Sequence, residues 1–176
     1  MIFIYRAIFL DRDGVINEAE KYVVHPDDFT FLPRAIEALK LISKKDYKII
    51  VITNQSGVRR GYYDEEMLQR IHQKMLDELK LYGVSINHIY YCPHHPDDGC
   101  DCRKPAPGML HLANHEHHID LANSFMIGDR DIDILAGKEV GAKTILLKCG
   151  YQGDDKYYIL SDFIAEDLLD AVQYIN

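Results

Sequence analysis

The segment Lys48-Ile49-Ile50-Val51-Ile52-Thr53 constrains the fold of this chain most, because its β-branched run carries no polar alternation. A strand that is apolar on both sides has both faces covered, which is the state of a parallel strand sandwiched between helices. Ala7-Ile8-Phe9-Leu10 repeats the pattern, within a strand predicted over 3–10, and empties directly into Asp11-Arg12-Asp13-Gly14. Helical patterns follow each run. Pro33 is expected to open a helix at its first position, with Ala35, Ile36, Leu39 and Ile42 on the apolar face. Asp64 is expected to cap a long helix carrying Met67, Leu68, Ile71, Met75, Leu79 and Leu81, ending at Gly83. Further strands are predicted over 88–91, 124–127 and 144–147, with helices from Pro107, over 131–140, and last from a Ser161 cap. This βαβα order predicts an α/β fold: a mostly parallel sheet with helices on both faces.

At 176 residues the chain suits a single domain, 1–176, with a substantial core. A formal charge of −8 argues against a general nucleic-acid grip, which needs a basic face. No apolar run approaches bilayer length, and the first residues lack a basic leader and cleavage site. A cytoplasmic protein with no membrane partner is expected, a monomer by default.

The polar residues cluster where strands end: Asp11 and Asp13, then Thr53 and Asn54, then Asp129. Open α/β sheets bind ligands at that end. Two carboxylates so close repel unless a cation or a shared proton lies between them. The pattern suits Mg²⁺, which takes a few carboxylates plus water and phosphate oxygen; Asp11, the backbone carbonyl of Asp13, and Asp129 meet that demand. Asp11, directly after the strand, is placed to attack phosphorus, and Asp13 to protonate the leaving oxygen and later activate water. Thr53 and Asn54 offer a hydroxyl, an amide and N–H groups to phosphoryl oxygens, and Arg103-Lys104 adds positive charge there. The plainer readings are strand-end turn formers for Thr53 and Asn54 and a solvated basic pair for Arg103 and Lys104. Asp133 suits either a partner of Lys104 or the metal, or simply a helix N-terminus.

The segments FLDRDGVIN, VITNQSG, CRKPAPGM and MIGDRDID, in that order, resemble the four signature motifs of haloacid-dehalogenase-superfamily phosphatases. The likeness covers most of residues 6–150 and extends to the group that acts on heptose bisphosphates and histidinol phosphate. It implies a Rossmann-like fold, Asp11 as nucleophile, Asp13 as acid/base, and Thr53, Arg103 and Lys104 holding the phosphoryl group. It implies Mg²⁺ on Asp11, Asp13 and Asp129, a substrate-facing flap at Ala19, Glu20, Lys21 and Tyr22, and a phosphate loop at Asn54, Gln55 and Ser56. The implied substrate is a small sugar bisphosphate, losing its 7-phosphate on the way to lipopolysaccharide or another bacterial surface glycan. Predicted elements fill the stretches from Asp13 to Thr53 and from Asn54 to Arg103, so no cap domain is expected and the mouth should be open. Rival readings are phosphatases of histidinol phosphate or another small phosphomonoester, and a non-catalytic module that binds phosphorylated ligands. A nucleic-acid 3′-phosphatase shares the motifs, but the acidic balance speaks against it.

Between the second and third of these segments lies Cys92-x-His94-x5-Cys100-x-Cys102. Three thiolates and an imidazole fill a tetrahedral Zn²⁺ with no open position, so the ion is expected to be structural. A redox cysteine pair is the alternative, and His95 could replace His94 on chemical grounds; the family pattern favours His94. The loop runs into Arg103-Lys104, so zinc would position those cations.

Overall fold

The computed structural model describes residues 3–19, 22–149 and 156–176. Glu20 and Lys21, both expected in the flap, lie outside the described residues. Among the described residues, six parallel strands form one sheet in the order β3-β2-β1-β4-β5-β6. They are β1 (Ala7–Leu10), β2 (Lys48–Asn54), β3 (His88–Cys92), β4 (Phe125–Gly128), β5 (Lys143–Leu147) and β6 (Phe163–Ala165). The helices are α1 (Ala35–Ile42), α2 (Glu65–Leu81), α3 (Gly108–His117), α4 (Asp131–Glu139), α5 (Lys156–Leu160) and α6 (Leu168–Ala171).

The unbroken apolar runs are explained by two separate cores. Ile8, Leu10, Ile49 and Val51 pack with Leu39 and Ile42 of α1, Ile71 and Met75 of α2, and Leu168 of α6. The alternate residues Ala7, Phe9, Ile50 and Ile52 pack with Met109 and Leu110 of α3 and Ala136 of α4. With successive side chains on opposite faces, both faces of each central strand are dry. The consequence for function is topological. β1 lies between β2 and β4 with all three running the same way, so residues 11, 53–54 and 129 emerge at one end.

Two local expectations need correction, and one strand is added. Pro33 does not open α1: Arg34, with φ 64°, is the residue before the helix, and Ala35 starts it. Ser161 does not cap the last helix; its hydroxyl donates to the Tyr158 carbonyl behind it, and Asp167 caps α6 through the Asp170 N–H. Between them lies β6, a strand absent from the sequence reading. Three residues bounded by Asp162 and Glu166 are too few to show a period. The expected Asp64 cap forms, its carboxylate accepting the Met67 N–H at 2.8 Å.

Candidate active site

β1 ends at Leu10, and the Asp11 N–H donates to the Ile127 carbonyl of β4 at 3.1 Å, so the chain stays in sheet register as Asp11 emerges. Its Oδ1 accepts the Arg12 N–H at 2.7 Å and pairs with Lys104 Nζ at 3.0 Å. Lys104 is 2% exposed. Its ammonium has three acceptors, a full complement: Asp11 Oδ1, Asp133 Oδ1 at 2.6 Å and the Ile52 carbonyl at 2.7 Å. Burial pushes Asp11 up to about 6 against the opposing charge of Lys104. Burial would lower Lys104, but Asp11 and Asp133 outweigh it and hold the lysine above its ordinary value.

Asn54 sets the position of that lysine. Its Oδ1 accepts the Lys104 N–H and its Nδ2 donates to the Lys104 carbonyl, both at 3.0 Å. The expectation that the Asn54 side chain faces phosphoryl oxygens therefore needs revision: the amide grips the Lys104 backbone. Arg103 points elsewhere, donating at 3.5 Å to the His94 carbonyl of the cysteine-rich loop.

The Asp13 carboxylate occupies a different setting, with its side chain 30% exposed. Arg12 reaches it through Nε at 3.2 Å and Nη2 at 2.9 Å, Asn17 Nδ2 at 2.9 Å and Gln55 Nε2 at 2.8 Å. Burial alone would raise Asp13, but the Arg12 charge and these hydrogen bonds reverse the balance and hold it below the ordinary carboxylate value. The cation expected between the paired aspartates is thus partly supplied by the chain itself. Arg12, 1% exposed, was not singled out by the sequence reading, although its place between two aspartates was the available signal.

Asp129 follows β4 and leaves its buried Oδ1 without a hydrogen-bond partner. Burial, then the charges of Asp11 and Asp133, raise it to about 8. Gly14, at φ +82°, lies against this carboxylate so closely that a Cβ would collide with it. Asp11, Asp129 and Asp133 bring carboxylate oxygens within 4.8 Å of one another. Three acidic groups, one with an orphaned buried oxygen, fit a hard divalent cation. Asp133 is already engaged by Lys104 and by the Arg130 N–H at 3.1 Å, so it serves both the lysine and the α4 N-terminus. That leaves Asp11 and Asp129 with capacity for a metal; the Asp13 carboxylate stands outside this group.

Thr53 is fully buried, its hydroxyl accepting from Gln55 Nε2 at 2.9 Å, and Ser56, three residues further on, is also buried. In the flap, Ala19 is exposed and Tyr22 meets Tyr62 edge-on, ring centroids 5.0 Å apart.

In the loop after β3, Cys92 Sγ lies 3.5 Å from both His94 Nδ1 and Cys100 Sγ. Cys102 Sγ lies 3.2 Å from His94 Nδ1 and 3.4 Å from Cys100 Sγ. These separations exceed a disulfide bond and approach the edges, about 3.8 Å between sulfurs, of a tetrahedron around Zn²⁺. His95 is not part of the group: its Nδ1 accepts the Asp97 N–H in the next turn. Alongside is an open cavity of ≈ 610 Å³ lined by Val58, Arg59, Glu65, Pro93, His94 and Asp98.

Residues 101–171 match the family model described as HAD-hydrolase-like. The chain is 40% identical to the D-glycero-beta-D-manno-heptose-1,7-bisphosphate 7-phosphatase of Haemophilus ducreyi, across 97% of this chain and 98% of that protein. The chain belongs to the haloacid-dehalogenase-like hydrolases. Another relative in this family, the alpha-heptose-1,7-bisphosphate 7-phosphatase of Photorhabdus laumondii, is 41% identical across 83% of this chain and 84% of that one. Among solved haloacid-dehalogenase-like structures, the D,D-heptose 1,7-bisphosphate phosphatase from B. bronchiseptica, complexed with magnesium and phosphate, superposes with a TM-score of 0.88. Its identity is 34%, and the match covers 97% of both chains.

Proposed function

We propose that this chain is a Mg²⁺-dependent phosphatase that removes the 7-phosphate of D-glycero-D-manno-heptose 1,7-bisphosphate, a precursor of bacterial surface glycans. The end-to-end similarity to relatives bearing that name supports the substrate. One observation carries the chemistry: at one sheet end a carboxylate tied to a buried lysine, Asp11, stands beside a second carboxylate, Asp13, held in a separate hydrogen-bonded cage.

In this reading Asp11 attacks phosphorus and the bond from phosphorus to the sugar oxygen breaks, giving an aspartyl-phosphate. Asp13, which the Arg12 charge holds below the ordinary carboxylate value, takes up a proton as the anionic phosphate enters; it gives that proton to the departing sugar oxygen, then takes one from the water that attacks the acyl phosphate and frees inorganic phosphate. Lys104 holds Asp11 in line and places positive charge where the transferring group is most anionic. Thr53 and the backbone N–H groups of Asn54 and Ser56 serve the phosphoryl oxygens, the Gln55 N–H being taken by the Cys92 carbonyl at 2.7 Å; the Asn54 amide acts through Lys104. Asp11, Asp129 and the Asp13 carbonyl would hold Mg²⁺, which supplies charge neutralisation and orientation. Cys92, His94, Cys100 and Cys102 would hold a structural Zn²⁺ that fixes the loop presenting Arg103. In this capless reading, specificity falls to the Ala19–Tyr22 flap and to the cavity beside the zinc loop, which Arg59 and His94 line.

The test is phosphate release from the α and β heptose bisphosphates and from histidinol phosphate, at equal concentration with Mg²⁺. Markedly faster release from a heptose bisphosphate is expected. Preference for histidinol phosphate, or no hydrolysis of any ester, overturns the reading.

A further inference from the structure

Gln55 was expected to face substrate, yet it is 2% exposed and every polar group of its amide is engaged. Oε1 accepts from Tyr63 Oη at 2.7 Å and from Arg12 Nη2 at 3.2 Å. Nε2 donates to Asp13 Oδ2 at 2.8 Å and to the Thr53 hydroxyl at 2.9 Å. Two donors on one end and two acceptors on the other leave a single amide orientation that satisfies all four contacts. Flipping it would set Nε2 against the Arg12 guanidinium and Oε1 against the Asp13 carboxylate, two repulsions in place of two bonds, while the two hydroxyls could reverse their roles.

Tyr63 reaches Oε1 because the turn between β2 and α2 admits its ring at one point. The ring packs against Gly57 so closely that a Cβ there would overlap it. Tyr63 is itself buried, and burial pushes its phenol up to about 12, so at neutral pH it is a donor.

We propose that Tyr63, acting through Gln55, is a positioning residue for the proposed acid/base Asp13: it fixes the amide that aims the carboxylate at the leaving oxygen. Neither residue touches the reacting atoms. The assignment rests on the reading of Asp13 as acid/base, and the two can fail separately. Arg12 and Asn17 also hold Asp13, so loss of the Tyr63 hydroxyl loosens the cage without emptying it. Networks of this kind couple more than one bond's worth of free energy to a single group.

The readout that separates positioning from packing is leaving-group dependence. A sugar alkoxide needs a proton as it departs, whereas p-nitrophenolate leaves readily without one. Tyr63→Phe keeps the ring against Gly57 and removes only the hydroxyl. It should lower the single-turnover rate of leaving-group release from a sugar phosphate by about 5- to 10-fold, the worth of one buried hydrogen bond, with substrate affinity unchanged. The same rate with p-nitrophenyl phosphate should change little; hydrolysis of the aspartyl-phosphate, which also uses Asp13, is common to both esters and lies outside this readout. Gln55→Met, which keeps volume and removes the amide, should show the same selectivity with a larger loss. Asp13→Asn serves as reference and should lose about 10²–10⁴-fold in release of the sugar, far less in release of nitrophenolate. If Asp13→Asn shows that selectivity while Tyr63→Phe and Gln55→Met slow leaving-group release from both esters equally or from neither, the positioning role is wrong and the acid/base reading stands. If Asp13→Asn slows leaving-group release from both esters equally, both assignments fall.

Discussion

Replacing Lys104 by methionine keeps most of the side-chain volume and removes one buried charge. The ammonium contacts Asp11 Oδ1 at 3.0 Å, Asp133 Oδ1 at 2.6 Å and the Ile52 carbonyl at 2.7 Å. Without it, two carboxylates and a carbonyl lose their partner in a site where Asp129 adds a third acidic group. Removing one member of a buried ion pair costs about 3–5 kcal/mol, and this lysine serves two carboxylates, so the upper half of that range is expected. Burial pushes Asp11 up to about 6 even with Lys104 opposing it. In the variant its proton is held more tightly, so any remaining activity moves to higher pH. Loss of a fixed charge at the transferring group should lower kcat by about 10²–10³-fold. The assay pairs urea unfolding of the metal-free protein with kcat across neutral to alkaline pH. A variant with kcat within about threefold of the parent, or a stability loss under about 1 kcal/mol, would refute the assignment of Lys104 as the buried counter-ion that aligns the nucleophile.

Asp129, raised to about 8, must give up its proton to bind metal, so apparent Mg²⁺ affinity should rise about tenfold per pH unit between about 6 and 8 and level off above that, with a steeper rise below 6, where Asp11 is protonated too. Calorimetry in buffers of different ionisation heat should count close to one proton released per ion at neutral pH; a pH-independent affinity would contradict this. Burial, aided by the Arg12 charge, lowers His72 of α2 from 6.5 to about 3. The unfolded chain then takes up a proton that the native state refuses, so stability is lost as pH falls from 6.5 toward 3. His72→Leu should therefore lose about 2–3 kcal/mol less than the parent between pH 7 and pH 4.5, read from urea midpoints; equal losses would exclude His72 as a source of acid sensitivity. The purified protein should carry about one zinc per chain by elemental analysis, and Cys100→Ser should lose it with a lower melting temperature. A parent protein free of zinc yet equally stable would remove the structural metal.

Much of this site is legible in the order of residues because its parts stand at strand ends, where an unbroken apolar run stops at an aspartate or a Thr-Asn pair. The cysteine cluster is legible for a similar reason: its ligands lie in one short loop, so their spacing is nearly their geometry. What sequence conceals is partnership across the sheet. Asn54 and Lys104 are 50 residues apart and meet because β2 carries one to the loop that holds the other. Gln55 and Asp13, 42 residues apart, meet only because β2 neighbours β1. An amide in a phosphate-loop motif reads as a ligand group until its four partners are seen. Arg12 is hidden differently, since an arginine after a strand is ordinarily solvated and its burial depends on Asp13 and Gln55 together.

The covalent role of Asp11 is tested most directly by quenching the enzyme with acid during turnover of a phosphate-labelled substrate, reducing with borohydride and mapping the peptides. Borohydride converts an aspartyl-phosphate to homoserine, so homoserine is expected at position 11. Full turnover with no label on the protein, or label on another residue, would contradict it.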